Sequence, residues 1–181
     1  MPARRPEDDP RHPREAPETG PPEAPEIAPR EAHEIAPREA HEIALCGPDD
    51  IEVEVRWARD GTALRGQLVA RNIGGRACRL AGKPTVTPLA ADGTPLPVQT
   101  VITLEMMQPG YALLQPGDVA TSRISWNSWC GQPVSDRAVA DWNSGSAVVP
   151  VHGPVQPGCD QAQRAQMTSY WFFLETPAGL A

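Results

Sequence analysis

Ile51-Glu-Val-Glu-Val-Arg-Trp57 puts Ile51, Val53, Val55 and Trp57 on one side of an extended chain and Glu52, Glu54 and Arg56 on the other. Strict alternation at period two belongs to a strand with one face in a core and one in water. It excludes a helix, whose apolar stripe recurs every three or four residues. Asp60-Gly61 supplies a turn, after which Leu64, Leu68 and Ala70 alternate with Arg65, Gln67 and Arg71. Residues 62–73 therefore read as a second strand and 51–73 as a hairpin, ended by Gly74-Gly75. Thr85 to Leu89 is a short strand and Ala91-Asp92-Gly93 the next turn. Leu96 to Leu104 is apolar and β-branched. Gln115-Pro-Gly-Asp118 is a turn, and in Val119 to Asn127 the residues Ala120, Ile124 and Trp126 share a face. Val148 to His152 and Thr168 to Glu175 complete the set. Seven to nine short strands separated by Gly/Pro turns predict an all-β fold, an antiparallel β-sandwich or a barrel. Asp160 to Met167 is the one stretch that could make a helical turn.

The core-forming residues are confined to one part of the chain. All five Trp, both Phe, both Tyr and all four Cys lie after residue 45, whereas residues 1–45 hold 10 of the 22 prolines and no aromatic residue. A segment so composed cannot bury enough apolar surface to offset its ordering entropy, so 1–45 reads as a disordered tail and 46–181 as the folded domain. The tail holds 11 Asp/Glu against 6 Arg, a net −5 of the chain's −7. An acidic chain is a poor partner for nucleic acid. No run approaches the roughly 20 apolar residues of a membrane span.

The tail is built of an eight-residue unit. Glu23-Ala-Pro-Glu-Ile-Ala-Pro-Arg30 is followed by Glu31-Ala-His-Glu-Ile-Ala-Pro-Arg38 and by Glu39-Ala-His-Glu-Ile-Ala-Leu45. Pro25, Pro29 and Pro37 interrupt any helix, and a unit of eight is too short for a solenoid repeat. The expectation is an extended polar spacer. His33 and His41 recur with the repeat but have no third His nearby to complete a metal site.

Asn72-Ile-Gly-Gly-Arg-Ala-Cys-Arg-Leu-Ala-Gly-Lys-Pro-Thr-Val86 resembles the N-x-G-x-x-x-C-x-L-x-G-x-P-x-V core of actinobacterial extracytoplasmic domains of unknown function. Leu114-Gln-Pro-Gly-Asp-Val-Ala120, Ile124-Ser-Trp-Asn-Ser-Trp-Cys130 and Pro157-Gly-Cys159 are similar to later blocks of that family. The resemblance covers 46–181. It implies an immunoglobulin-like sandwich and a place outside the cytoplasm, and it brings no catalytic residue with it.

Cys46, Cys78, Cys130 and Cys159 allow three disulfide connectivities, and none of them forms a C-x-x-C motif. We favour Cys46–Cys78, which ties the domain's first residue to the loop after the second strand. The companion bridge, Cys130–Cys159, staples the turn-rich stretch 131–158. The alternative is four reduced thiols. Disulfides imply an oxidising compartment, yet Met1 to Asp9 has no apolar h-region. The expectation is an exporting segment upstream of Met1 or another export route, with cytosolic residence as the alternative.

Candidate sites are few. Trp129 and Trp142, in loop-like surroundings, are candidate ligand-binding residues, since flat rings stack on sugar or peptide faces. Trp126 reads as core. Gly75 to Lys83 lacks the phosphate-loop spacing, and Pro84 stands where that motif needs Ser or Thr. Asp49, Asp50, Asp136, Asp141 and Asp160 show no calcium-ligand spacing and read as solvated loop charges. His152 is the domain's one histidine, so any Ser-His-Asp or Cys-His arrangement must use it. No serine sits in a nucleophile elbow. The sequence calls for no catalytic residue, no metal and no cofactor. It points to a non-enzymatic extracytoplasmic interaction module on a flexible spacer, with a protein or cell-envelope glycan as partner. A carbohydrate- or cell-wall-binding module is the first alternative and a hydrolase the second.

Overall fold

Gly61 and Thr62 are the two residues between β1 (Ile51–Asp60) and β2 (Ala63–Asn72). Gly61 has a φ of 59°, which tight hairpin turns demand and which glycine adopts without steric cost. Pairing runs unbroken from Asp60↔Ala63 to Ile51↔Asn72. The alternation read in the sequence is realised along it: Ile51, Val53, Val55, Trp57, Leu64 and Leu68 are buried, and Glu52, Arg56, Arg65, Gln67 and Arg71 are exposed. The structure, a computed structural model, describes residues 43–103 and 110–175. These lie within one compact unit, Ile35–Ala181. The expected tail up to residue 42, with its repeat and with His33 and His41, lies outside the described residues.

The remaining elements are β3 (Cys78–Ala81), β4 (Thr85–Ala90), β5 (Gln99–Ile102), β6 (Tyr111–Leu114), β7 (Val119–Trp126), β8 (Val134–Trp142), β9 (Gly145–His152) and β10 (Gln166–Leu174). Eight strands form one sheet in the order β4-β8-β9-β1-β2-β7-β10-β5, and β3 pairs with β6 separately. The all-β expectation holds. Three corrections apply. Ten strands form among the described residues, not seven to nine, because β3, β6 and β8 arise in stretches where the sequence predicts no strand. The sheet is mixed rather than antiparallel throughout: β9 runs parallel to β1, and β5 parallel to β10. In each case a strand reaches its neighbour by a long connection, which parallel pairing needs. Residues after Asp160 make a turn closed by the Gln163 amide on the Asp160 carbonyl, not a helix, and Gln166 already belongs to β10.

The long sheet curls on itself. Ser169 of β10 donates a hydrogen bond to the carbonyl of Pro84, next to β4, joining strands far apart in the sheet order. The enclosed side chains form a single hydrophobic cluster that includes Val55, Leu68, Leu80, Leu114, Ile124 and Trp126. Each such buried side chain contributes about 1.5–3 kcal/mol by leaving water.

The motif around Asn72 organises the junction between the sheet and the β3–β6 ribbon. Asn72 is buried, and its Nδ2 donates to the carbonyls of Arg76 (2.8 Å) and Leu114 (3.1 Å). Its Oδ1 accepts from the Gly74 amide at 2.9 Å. One amide thus satisfies three backbone groups where the chain leaves β2. Gly117 (φ 87°) follows Pro116 in a turn closed by the Asp118 amide on the Gln115 carbonyl at 3.0 Å. Pro then Gly at the two central positions suits a type II turn.

The chain enters the domain along β3. The Arg79 amide donates to the Ala44 carbonyl, and the Cys46 amide to the Arg79 carbonyl. Leu45 makes a parallel bridge with Arg79. Residues 43–45, assigned to the tail from composition, are therefore part of the folded unit. Three residues are too few for composition to reveal a docked strand.

Candidate functional site

Two cysteine pairs frame the domain. Cys46 bonds to Cys78 and Cys130 to Cys159, the pairing expected from loop topology, and no cysteine among the described residues is free. The two bridges differ in surroundings. Cys46 and Cys78 are buried, beneath the carbonyl of Cys46 that accepts from Trp142 Nε1 (2.9 Å) and Ser144 Oγ (2.6 Å). Cys130 and Cys159 are exposed.

The tryptophans require a correction. A stacking platform needs an exposed ring face, yet Trp142 is 7% and Trp129 8% exposed. Trp142 ends β8 rather than lying in a loop, and it reaches across to Cys46. Its hydrogen bond and packing make it part of the core, so it is not an exposed platform. Trp129 does lie in a loop. Its Nε1 donates to the Gln132 carbonyl at 2.7 Å, and Gly131 lies so close that an added Cβ would come within 2.3 Å of the ring. Its ring packs 6.0 Å from that of Trp126, tilted by 51°. Trp126, read as core, is fully buried.

Trp129 keeps one edge in a cleft. The cleft holds about 350 Å³, and its lining includes Ser128, Trp129, Cys130, Gln161 and Gln163. Two of its polar groups are already engaged: Ser128 Oγ exchanges hydrogen bonds with Asp160, and Gln163 Nε2 donates to Asp160 Oδ2 at 2.8 Å. Asp160 is thus the organiser of this loop pair. Asp50 does similar work by accepting from the Gly47 amide at 2.7 Å, and Asp141 accepts from Thr85 Oγ1 at 3.2 Å. Three of the carboxylates read as solvated charges are therefore turn and strand fasteners; Asp49 and Asp136 are exposed.

His152 has no acidic neighbour in sequence but acquires one in space. The parallel register places it beside Arg56, and its Nε2 lies 3.1 Å from Glu54 Oε2. Glu54 also pairs with Arg56. A carboxylate–imidazole contact is a triad without its nucleophile, and the carboxylate here is shared with a guanidinium. Lys83 donates to Thr103 Oγ1 at 2.8 Å and stands 5.6 Å from the Trp171 ring centroid. It therefore binds the fold, not a phosphate. No group of three metal-ligating side chains occurs among the described residues, and no helix there is long and apolar enough to cross a membrane.

The family model described as "Domain of unknown function (DUF4232)" matches residues 46–168. No curated protein and no solved structure matches the chain.

Proposed function

The chain belongs to the DUF4232 family of domains of unknown function, and from that premise we propose that it is a non-enzymatic interaction module working in an oxidising, extracytoplasmic compartment. The observation that carries the reading is the pair of disulfides, which uses every cysteine in the chain. Structural disulfides persist where thiols are not kept reduced. The partner is a protein or a cell-envelope glycan. The test is the redox state of the chain taken from its native host. Alkylation without reductant should leave all four cysteines unlabelled, and labelling of all four would remove the compartment from the reading.

A second reading is supported by the cleft beside Trp129. A volume of about 350 Å³ suits a small ligand of the size of a monosaccharide or disaccharide. Gln161 would offer an amide there and Trp129 an apolar ring edge. Titration with soluble cell-wall glycan fragments should shift the Gln161 and Gln163 side-chain amide signals in a saturable way. Unmoved signals would set the glycan reading aside.

A further inference from the structure

Register fixes how the outward side chains of β1, β2, β7 and β10 line up. Arg56 lies opposite Gln67, and Gln67 opposite Arg123. In the next row Ala58 lies opposite Arg65, and Arg65 opposite Ser125. Arg71 stands farther along β2 on the same side. This face therefore carries the guanidiniums of Arg56, Arg65, Arg71 and Arg123. Three of them have an oxygen partner within the fold. Arg56 bonds Glu54 at 2.6 Å, Arg65 bonds Asp60 at 2.7 Å, and Arg71 reaches the Gly117 carbonyl at 3.4 Å.

Arg123 differs. It has no carboxylate or carbonyl acceptor among the described residues, and its Cζ lies 5.0 Å from the centre of the Tyr170 ring. Attraction to a ring face consumes none of the five N–H donors of a guanidinium. A stacked arginine is thus held in place with its hydrogen-bonding capacity unspent. Beside it is a cavity of about 150 Å³, lined by Arg65, Gly66, Arg123, Ile124, Ser125 and Tyr170. Gly66 has no side chain and Ile124 is buried. The functional groups offered to the cavity are therefore two guanidiniums, a hydroxyl and a phenol. All can donate hydrogen bonds, and no carboxylate is among them.

We propose that this pocket binds an oxyanion, the phosphate or carboxylate group of a ligand of this module. Planar guanidinium forks match the paired oxygens of both groups. Asp60 occupies Arg65 Nε and leaves that guanidinium's other nitrogens for a ligand. Arg65 and Asp60 are both largely exposed, so water screens the site and an isolated anion should bind with a Kd on the order of 1 mM. The assignment goes beyond the interaction reading. It does not depend on the compartment, so redox labelling and anion binding can fail separately.

The test is an NMR titration of the full chain, reading the arginine Nε–Hε signals, with inorganic phosphate in one arm and acetate in the other. Chloride holds the ionic strength constant. Saturable shifts of Arg65 and Arg123 are expected in at least one arm; phosphate alone would mark a tetrahedral anion, and acetate as well would admit carboxylates. Arg123→Ala should weaken binding about tenfold or more, as loss of a charge-assisted hydrogen bond does. Arg123→Lys keeps the charge but loses the fork, and should also weaken it. Tyr170→Ala, which removes both the ring under Arg123 and the phenol, should weaken binding more than Tyr170→Phe, which removes the phenol alone, and Asp60→Asn should tighten it. Arg71→Ala, outside the pocket, should leave it unchanged. Shifts that stay linear in both arms would overturn the proposal, as would an equal loss in Arg71→Ala and Arg123→Ala with the rest of the spectrum unmoved.

Discussion

Trp126 is fully buried, yet its indole Nε1 has no acceptor among the described residues. The position favours ring volume over hydrogen bonding. Trp126→Ala should therefore destabilise the domain by about 3–5 kcal/mol, as truncation of a large core aromatic does. Trp126→Phe should cost distinctly less, because it also removes a buried donor that lacks a partner. Urea unfolding of the two variants checks the order, and equal losses would show the N–H to be satisfied. Gly66 makes the opposite demand. A Cβ there would come within 1.9 Å of the Arg56 carbonyl oxygen and 2.7 Å of the Trp57 ring. Gly66→Ala should cost about 1–3 kcal/mol, the range of core overpacking, measured in the same way. Trp126 was legible in sequence because it continues the alternation of its own strand. Gly66 was not, since its neighbours sit on the facing strand and only the register brings them close. Asp92 is hydrogen-bonded within its own turn. The Thr94 amide, then its hydroxyl, hold the carboxyl below its ordinary 3.8. A depressed carboxylate contributes stability that is present above the ordinary value and lost as pH falls through the lower one. The contribution is small at so exposed a turn, and Asp92→Asn should flatten the corresponding part of the acid unfolding curve.

At the scale of elements, the two disulfides close loops of similar length, with separations of 32 and 29 residues. Chain entropy alone would make them equivalent, each worth about 3–4 kcal/mol. Their surroundings do not. Attack on a disulfide needs access to a sulfur, and the Cys46–Cys78 pair is buried while Cys130 and Cys159 are exposed. Under graded reductant with alkylation, Cys130 and Cys159 should be labelled first. Simultaneous labelling of all four would mean that reduction proceeds only through global unfolding. The stretch between Cys130 and Cys159 also shows what pattern reading missed. In β8 the buried positions are Ala138, Ala140 and Trp142. Alanines carry little apolar signal, and Asp136 and Asp141 look like loop charges. Yet β8 pairs with both β4 and β9. β3 and β6, four residues each, are too short to show a period. Strands with large apolar residues on one face, β1 and β2 above all, were legible from residues 51–73 alone.

At the scale of the whole molecule, the closest approach to catalytic chemistry is where two distant strands meet. His152 of β9 and Glu54 of β1 lie 3.1 Å apart, a juxtaposition that no local motif announces because it depends on parallel pairing. General-base catalysis at neutral pH most often uses histidine, and a carboxylate behind it would orient the ring. Three features weigh against that role here. The His152 side chain is 57% exposed, so water competes for every hydrogen bond it makes. Glu54 is shared with Arg56, whose charge offsets the one that would stabilise an imidazolium. The neighbouring cavity of about 220 Å³ is lined by Glu52, Glu54, Arg56, Val69 and Arg71, and neither His152 nor any serine or cysteine nucleophile belongs to it. A screen of ester, peptide and glycoside substrates should therefore be blank for the intact chain. Turnover abolished by His152→Ala and by Glu54→Gln, with circular dichroism unchanged, would make this dyad a base and the domain a hydrolase. Turnover that survived both changes would place catalysis elsewhere and equally end the non-enzymatic reading, while leaving the disulfide framework and the oxyanion pocket to be judged by their own measurements.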